Sequence, residues 1–181
     1  MRIVTYGGAV SLDGFLAAAD GAIDWIHPSK NSYEGMAEQW KTIDTMLVGR
    51  RTYEFAVEMT RGKSSPWNPA MKNYVFSRTL KEIADPHLQL IAGDAVPFVR
   101  DLKQRTGSGI WLMGGGALAT SLLAAGLVDR IRLNVHPILL GSGVPTFRDA
   151  GMLVELKRTE CRPMDGGCIL AQYDVVRPMS A

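Results

Sequence analysis

Between residues 106 and 128 the chain carries no charged side chain, and three consecutive glycines cut that stretch in two. A run of this length raises the question of a membrane span. The six glycines within it answer that question, because they divide it into pieces of different kinds. Ile110-Trp111-Leu112-Met113 has the length and the side chains of a buried strand. Gly114-Gly115-Gly116 must turn, and residues 117–125 are apolar all round until Gly126 stops them, which predicts a helix sandwiched between other elements. A strand that runs through glycine directly into a helix is the unit from which α/β folds are made.

The remainder of the chain repeats that alternation. Apolar runs of strand length occupy residues 3–10, 45–48, 73–76, 88–91, 131–140, 153–161 and 168–176. Several are unbroken, as expected of strands covered on both faces. Asn31 or Ser32 is placed to cap a helix running to about residue 43, with Tyr33, Met36, Ala37 and Trp40 along one face. A second helix spans residues 51–59. Asp94 caps a third, lined by Val96, Val99 and Leu102 and ended by Gly107. The last two runs have only the turn Pro163-Met164-Asp165-Gly166-Gly167 between them, which predicts an antiparallel hairpin. The expectation is a three-layer α/β fold with a mainly parallel central sheet and an antiparallel C-terminal hairpin. At 181 residues one domain is expected, burying roughly 70% of the unfolded chain's surface.

Charge and cysteine usage narrow the function classes. Twenty Lys and Arg against 18 Asp and Glu leave a net charge of +2, which offers no broad field for nucleic acid or membrane. Cys161 and Cys168 stand without a C-x-x-C or His spacing, so no metal site is expected. The N-terminus has a single Arg and an apolar run broken by Gly7 and Gly8. It does not read as a signal peptide, so a cytoplasmic location is expected, where a disulfide is not. Gly141-Ser142-Gly143 misses the five-residue spacing of a hydrolase elbow.

Anion-binding chemistry gathers where strands end, which is where parallel α/β sheets hold ligands. Gly114, Gly116 and Ala119 fit the G-x-G-x-x-G/A spacing. Such glycines admit a pyrophosphate close to the backbone, and the following helix supplies free N–H groups. Gly49-Arg50-Arg51-Thr52 follows another strand, and Ser77-Arg78-Thr79 a third, each offering guanidinium and hydroxyl groups to a phosphate. Three such ends in one sheet favour a dinucleotide. The acid that marks a ribose 2′-hydroxyl is missing, since the strand after the glycine loop ends Asn134-Val135-His136-Pro137. The arginines therefore favour a 2′-phosphate, and NADPH over NADH.

These pieces together resemble a known family. Val10-Ser11-Leu12-Asp13-Gly14, Gly49 to Glu54, Ser77-Arg78-Thr79, Gly114 to Leu118 and residues 127–143 resemble the standalone reductases related to riboflavin-biosynthesis reductase, in the family's order and over nearly the whole chain. The resemblance implies a dihydrofolate-reductase-like domain that binds NADPH. Gly49, Arg50, Arg51, Thr52, Ser77 and Arg78 would hold the adenosine phosphate. Gly114, Gly115, Gly116, Ala117 and Leu118 would hold the pyrophosphate and the nicotinamide side. It also implies a homodimer, for which the hairpin offers Cys168, Ile169, Leu170, Tyr173, Val175 and Val176.

At the substrate end the family's acid falls on Asp13, the candidate catalytic residue, although Asp-Gly is also a common turn pair. Trp25 is the candidate wall of a ring-binding pocket, or else core. Glu34 and Glu38 are alternative acids. Enzymes of the riboflavin pathway carry Glu immediately before their glycine loop, and Met113 stands there in this chain. The reading is an NADPH-dependent reductase of a small heterocyclic or carbonyl-bearing substrate. Dihydrofolate reduction, reduction of 5-amino-6-(5-phosphoribosylamino)uracil, a non-catalytic NADP sensor and a phosphate-sugar binder are the alternatives.

Overall fold

A computed structural model describes residues 1–27, 30–61, 64–149 and 151–176. In chain order the elements are β1 (Val4–Ser11), β2 (Phe15–Ala17), α1 (Lys30–Trp40), β3 (Ile43–Gly49), α2 (Arg50–Met59), β4 (Lys72–Phe76), β5 (Leu88–Ile91), α3 (Ala95–Gln104), β6 (Gly109–Met113), α4 (Gly116–Ala124), β7 (Arg130–His136), β8 (Val144–Pro145), β9 (Leu156–Pro163) and β10 (Ile169–Val175). Eight strands form one sheet in the order β5-β4-β3-β6-β1-β7-β10-β9, and β2 pairs with β8 separately. Neighbours from β5 to β7 are parallel. β10 runs antiparallel to both β7 and β9, which closes the sheet with the expected hairpin.

The unbroken apolar runs are explained by two cores. Leu47, Tyr74, Phe76, Ile110 and Leu112 join Val4, Tyr6 and the buried faces of α3 and α4 on one side of the sheet. Their chain neighbours Met46, Val48, Val75 and Trp111 join Trp67 on the other side, against Trp40 of α1 and Tyr53 and Ala56 of α2. Alternate residues of one strand therefore enter different cores, and none faces water.

Local signals decide several boundaries. The Asp94 side chain accepts a hydrogen bond from the Val96 N–H at 3.0 Å, capping α3 as expected. α1 is already helical at Lys30, so neither Asn31 nor Ser32 caps it. Asn31 instead donates through Nδ2 to Asp165 at 2.9 Å, tying the helix start to the hairpin turn. β7 stops at His136 because Pro137 has no N–H for the ladder. Gly166 (φ 70°) and Gly167 (φ 75°) make the hairpin turn. α4 is not sandwiched: Ala119, Leu122 and Leu123 are buried while Ala117, Ser121 and Ala124 are exposed. The sheet margin β9 is exposed along nearly its whole length. No helix among the described residues is long and apolar enough to cross a membrane.

Candidate functional site

The strand order creates a crevice. From β3 the chain steps outward through β4 to β5, whereas from β6 it returns past β1 to β7. α2 leaves β3 on one face of the sheet and α4 leaves β6 on the other. Adjacent parallel strands whose connections part in this way leave an opening beyond their carboxyl ends, the usual ligand position in such sheets. Gly49 ends β3 and Gly114 follows β6, at the lips of that opening.

The two loops touch through backbone. A side chain on Gly49 would begin 3.9 Å from the Gly115 Cα, and one on Gly114 would begin 2.9 Å from the Thr52 Oγ1. Gly114 (φ 57°) and Gly115 (φ 75°) are left-handed, a conformation that glycine adopts without steric cost. Neither α2 nor α4 has a side-chain cap. Two sets of unsatisfied N–H groups, each with a partial positive charge, thus open side by side. In the next strand β1, Gly7 lies opposite Met113, so Gly8 is level with Gly114. A side chain on Gly8 would meet nothing within 4 Å. Gly8, Gly49, Gly114 and Gly115 bring no side chain of their own to this level of the sheet, where the Thr52 hydroxyl and Leu118 flank the glycine loop. Gly8 matches none of the glycine-loop spacings, although a glycine inside a central strand is itself a signal of close backbone approach.

The arginines stand around these glycines with different commitments. Arg50 Nη1 binds Glu54 at 2.8 and 3.0 Å along the helix surface. Arg51 and Arg78 are exposed and make no hydrogen bond or ion pair among the described residues. Gly49 lies opposite Phe76 in β4, so Ser77 and Arg78 extend just past the same level. Ser77 is buried, and its Oγ accepts from the Thr79 N–H at 3.2 Å and the Leu80 N–H at 3.0 Å. It shapes the turn that presents Arg78. The glycines of two loops, two uncapped helix starts and two uncommitted guanidinium groups fit a dinucleotide phosphate.

The substrate-end candidates gather at the top of β1 and β7. Asp13 Oδ1 accepts from Ser11 Oγ at 2.6 Å, and its carboxylate also accepts from the backbone N–H groups of Leu140 (3.1 Å) and Gly141 (2.7 Å). The Ser11 hydroxyl, with the two amides, holds this carboxyl below the usual carboxylate range. Trp25 is 7% exposed and meets the His136 ring edge-on at 5.5 Å. Its indole N–H is buried without a partner among the described residues. Ser11 is in register with His136, whose Nδ1 lies 3.3 Å from the Cys168 Sγ. Cys161 is exposed and Cys168 buried, and both are free thiols.

His136 is expected to give the fold a pH dependence. Burial, with the nearby His27 ring, lowers its pKa from the ordinary 6.5. Among the described residues it also meets the Cys168 thiol, whose pKa burial raises, the Asn134 amide and the Trp25 indole, all neutral groups. The unfolded chain then binds the proton more readily, so stability is complete above pH 6.5 and falls as the pH drops below it. His136→Gln should flatten the urea midpoint between pH 7 and pH 5.5, with the wild type declining more steeply. Parallel declines would remove His136 as the cause.

Two open hollows of about 300 and 380 Å3 lie elsewhere. One is at the amino ends of the strands around Arg2 and Arg130, the other between α1 and Arg132 and Arg162. These four arginines are already paired, with Asp44, Asp174 and, for the last two, Glu160. Beside the crevice Arg50 is paired with Glu54, whereas Arg51 and Arg78 have no such partner among the described residues.

Comparison with known proteins agrees with this geometry. The RibD C-terminal domain family matches residues 2–170. The Bacillus subtilis (strain 168) protein YyaP is 34% identical over 173 residues, covering 91% of this chain and 90% of its own. The riboflavin biosynthesis protein RibD of Mycobacterium tuberculosis (strain ATCC 25618 / H37Rv) is 30% identical over 164 residues, covering 82% of this chain and 46% of its own length. Among solved structures, a putative riboflavin biosynthesis protein from Shewanella sp. PV-4 superposes with a TM-score of 0.82 at 25% identity, over 97% of this chain and 100% of that one. A dihydrofolate reductase from Enterococcus faecalis complexed with NADP(H) gives 0.66 at 17% identity over 96% of each chain, which is a likeness of fold. The fold is dihydrofolate-reductase-like, and the likenesses support a reductase role.

Proposed function

This chain belongs to the RibD C-terminal domain family, and from that premise we propose that it is an NADPH-dependent reductase of a small heterocyclic or carbonyl-bearing substrate. The observation that carries the reading is the β3–β6 switch, where the glycines of two loops meet beside Arg51 and Arg78, which are exposed and without a side-chain partner among the described residues. When bound there, NADPH supplies the hydride.

The protein's own part is to hold and orient. Gly114, Gly115, Gly116, Ala117 and Leu118 take the pyrophosphate through backbone N–H groups. Thr52 braces Gly114 from the opposite helix. Arg78 and Arg51 take the 2′-phosphate, with Ser77 setting the turn and Arg50 adding charge from beside Glu54. Asp13 stays ionised through the physiological range, so it acts by ordering a water or a substrate donor and not by releasing its own proton. Trp25 walls the substrate end and keeps one N–H donor. Met113, where the riboflavin pathway enzymes carry Glu, withholds a carboxylate from a polar pyrimidine and favours a less polar substrate. Two copies would pair through the C-terminal hairpin.

Calorimetric titration with NADPH and NADH at one salt concentration tests the cofactor. Micromolar NADPH binding with much weaker NADH binding is expected, and binding of neither would overturn the reading. Arg78→Ala should weaken NADPH by about 1–3 kcal/mol and leave NADH nearly unchanged, because the lost contact is charge-assisted and specific to the 2′-phosphate. Equal losses for both cofactors would move the 2′-phosphate away from Arg78. Oxidation of NADPH in a substrate screen separates the enzyme from a sensor.

A further inference from the structure

The glycine loop rests on a second chain segment that no sequence pattern marks. A Cβ on Gly116 would begin 2.9 Å from the Thr146 carbonyl oxygen and closer still to that of Pro145. The start of α4 is therefore seated on the backbone of residues 145–146. That seat is tied on two sides. The Thr146 N–H and Oγ1 both donate to the Gly14 carbonyl, at 2.9 and 2.8 Å. From below, the Tyr6 hydroxyl donates to the Thr146 carbonyl at 2.8 Å.

Tyr6 is 1% exposed and stands in the centre of the sheet, with its ring edge against Phe147 at 5.3 Å. Burial raises its phenol far above the ordinary range, so it stays a donor at any physiological pH. A backbone carbonyl accepts over a broad range of directions, so by itself it leaves residues 145–146, and the glycine loop packed on them, free to settle at several heights. A donor fixed in a close-packed core removes that freedom.

We propose that Tyr6 and the Thr146 carbonyl form a strut that sets the height of the glycine loop, making Tyr6 a positioning residue for the dinucleotide without touching it. This rests on the cofactor reading given above. The strut also connects that loop to the Gly14 turn beside Asp13, so the cofactor end and the substrate end share one backbone seat.

Tyr6→Phe removes the hydroxyl and keeps the ring. Val99→Ala, in the same core under α3, serves as a control for general loss of stability. In Tyr6→Phe the NADPH dissociation constant should rise by about fivefold or more, with the control within about twofold of wild type. In the ligand-free protein, amide exchange at Ala119 and Thr146, whose N–H groups are bonded to the Gly115 and Gly14 carbonyls, should quicken by about tenfold in Tyr6→Phe and not in the control. Unchanged affinity in Tyr6→Phe, or the same loss in both variants, overturns the proposal. If the wild type fails to bind NADPH, the cofactor reading falls, and exchange at Ala119 and Thr146 then decides the strut by itself.

Discussion

Replacing Lys103 with methionine is expected to cost the fold about 3–5 kcal/mol, because it removes the buried ammonium that faces a partly buried carboxylate. Lys103 lies in the last turn of α3 with its side chain 2% exposed, and its ammonium is bonded to Asp129 Oδ2 and, at 3.0 Å, to the Leu127 carbonyl. Asp129 Oδ2 also accepts from the Val4 N–H at 2.8 Å. One ion pair therefore fastens α3 to the starts of β1 and β7. Methionine fills similar space and brings no charge. Lys103→Met combined with Asp129→Asn should recover much of the loss, since the amide still accepts from Val4 and no unpaired charge remains. Urea titration of the three variants measures this. A single variant within about 1 kcal/mol of wild type would mean that water reaches the pair and screens it.

Gly7→Ala is the second large effect, expected near 3 kcal/mol, at the upper end of the usual cost of overpacking. The new Cβ would lie 2.5 Å from Trp111 Cζ2 and 2.7 Å from the Arg132 carbonyl oxygen. Trp111 is 2% exposed, held edge-on by Trp40 at 5.4 Å, and the carbonyl belongs to the paired strand β7. Neither neighbour can retreat without breaking a core or a ladder. Gly8→Ala, one residue on, meets open space and should stay within about 1 kcal/mol of wild type, helped by reduced freedom of the unfolded chain. It should nevertheless weaken NADPH if the floor of the crevice is where the cofactor lies. Thermal melts of the pair would disprove the packing argument if both variants melted together.

The two glycines also show what sequence patterns carry and what they do not. The runs feeding both cores were legible because burial on both faces leaves an unbroken apolar signature, and the hairpin was legible from Gly166 and Gly167. The cap at Asp94 and the glycine loop follow short-range rules and emerged in place. The placement of β6 between β3 and β1 did not, since register between distant strands leaves no local mark. β2 and β8 are only three and two residues long, too short for any period to emerge. Lys103 resembles an ordinary helix-end cation, and only the arrival of Asp129 from the other side of α4 makes it a buried one. Tyr6 reads as one more apolar strand residue, because its partner is a carbonyl, which every residue possesses. At the proposed site, the candidate residues come from glycine and arginine spacing, which is a short-range signal. Asp13, by contrast, turned out to grip the amides of Leu140 and Gly141, a loop that no periodicity links to it.

The sheet is open at both sides, and that has a consequence for how the protein behaves when crowded. Unpaired strand borders are templates on which other chains can grow into fibres. Here one border, β5, is only four residues long. The other, β9, carries Lys157, Arg158, Glu160 and Arg162 and closes on Pro163. Such a border resists a further strand through charge and a missing N–H, so copies of this chain that associate would meet face to face and form a closed pair in preference to a growing ribbon.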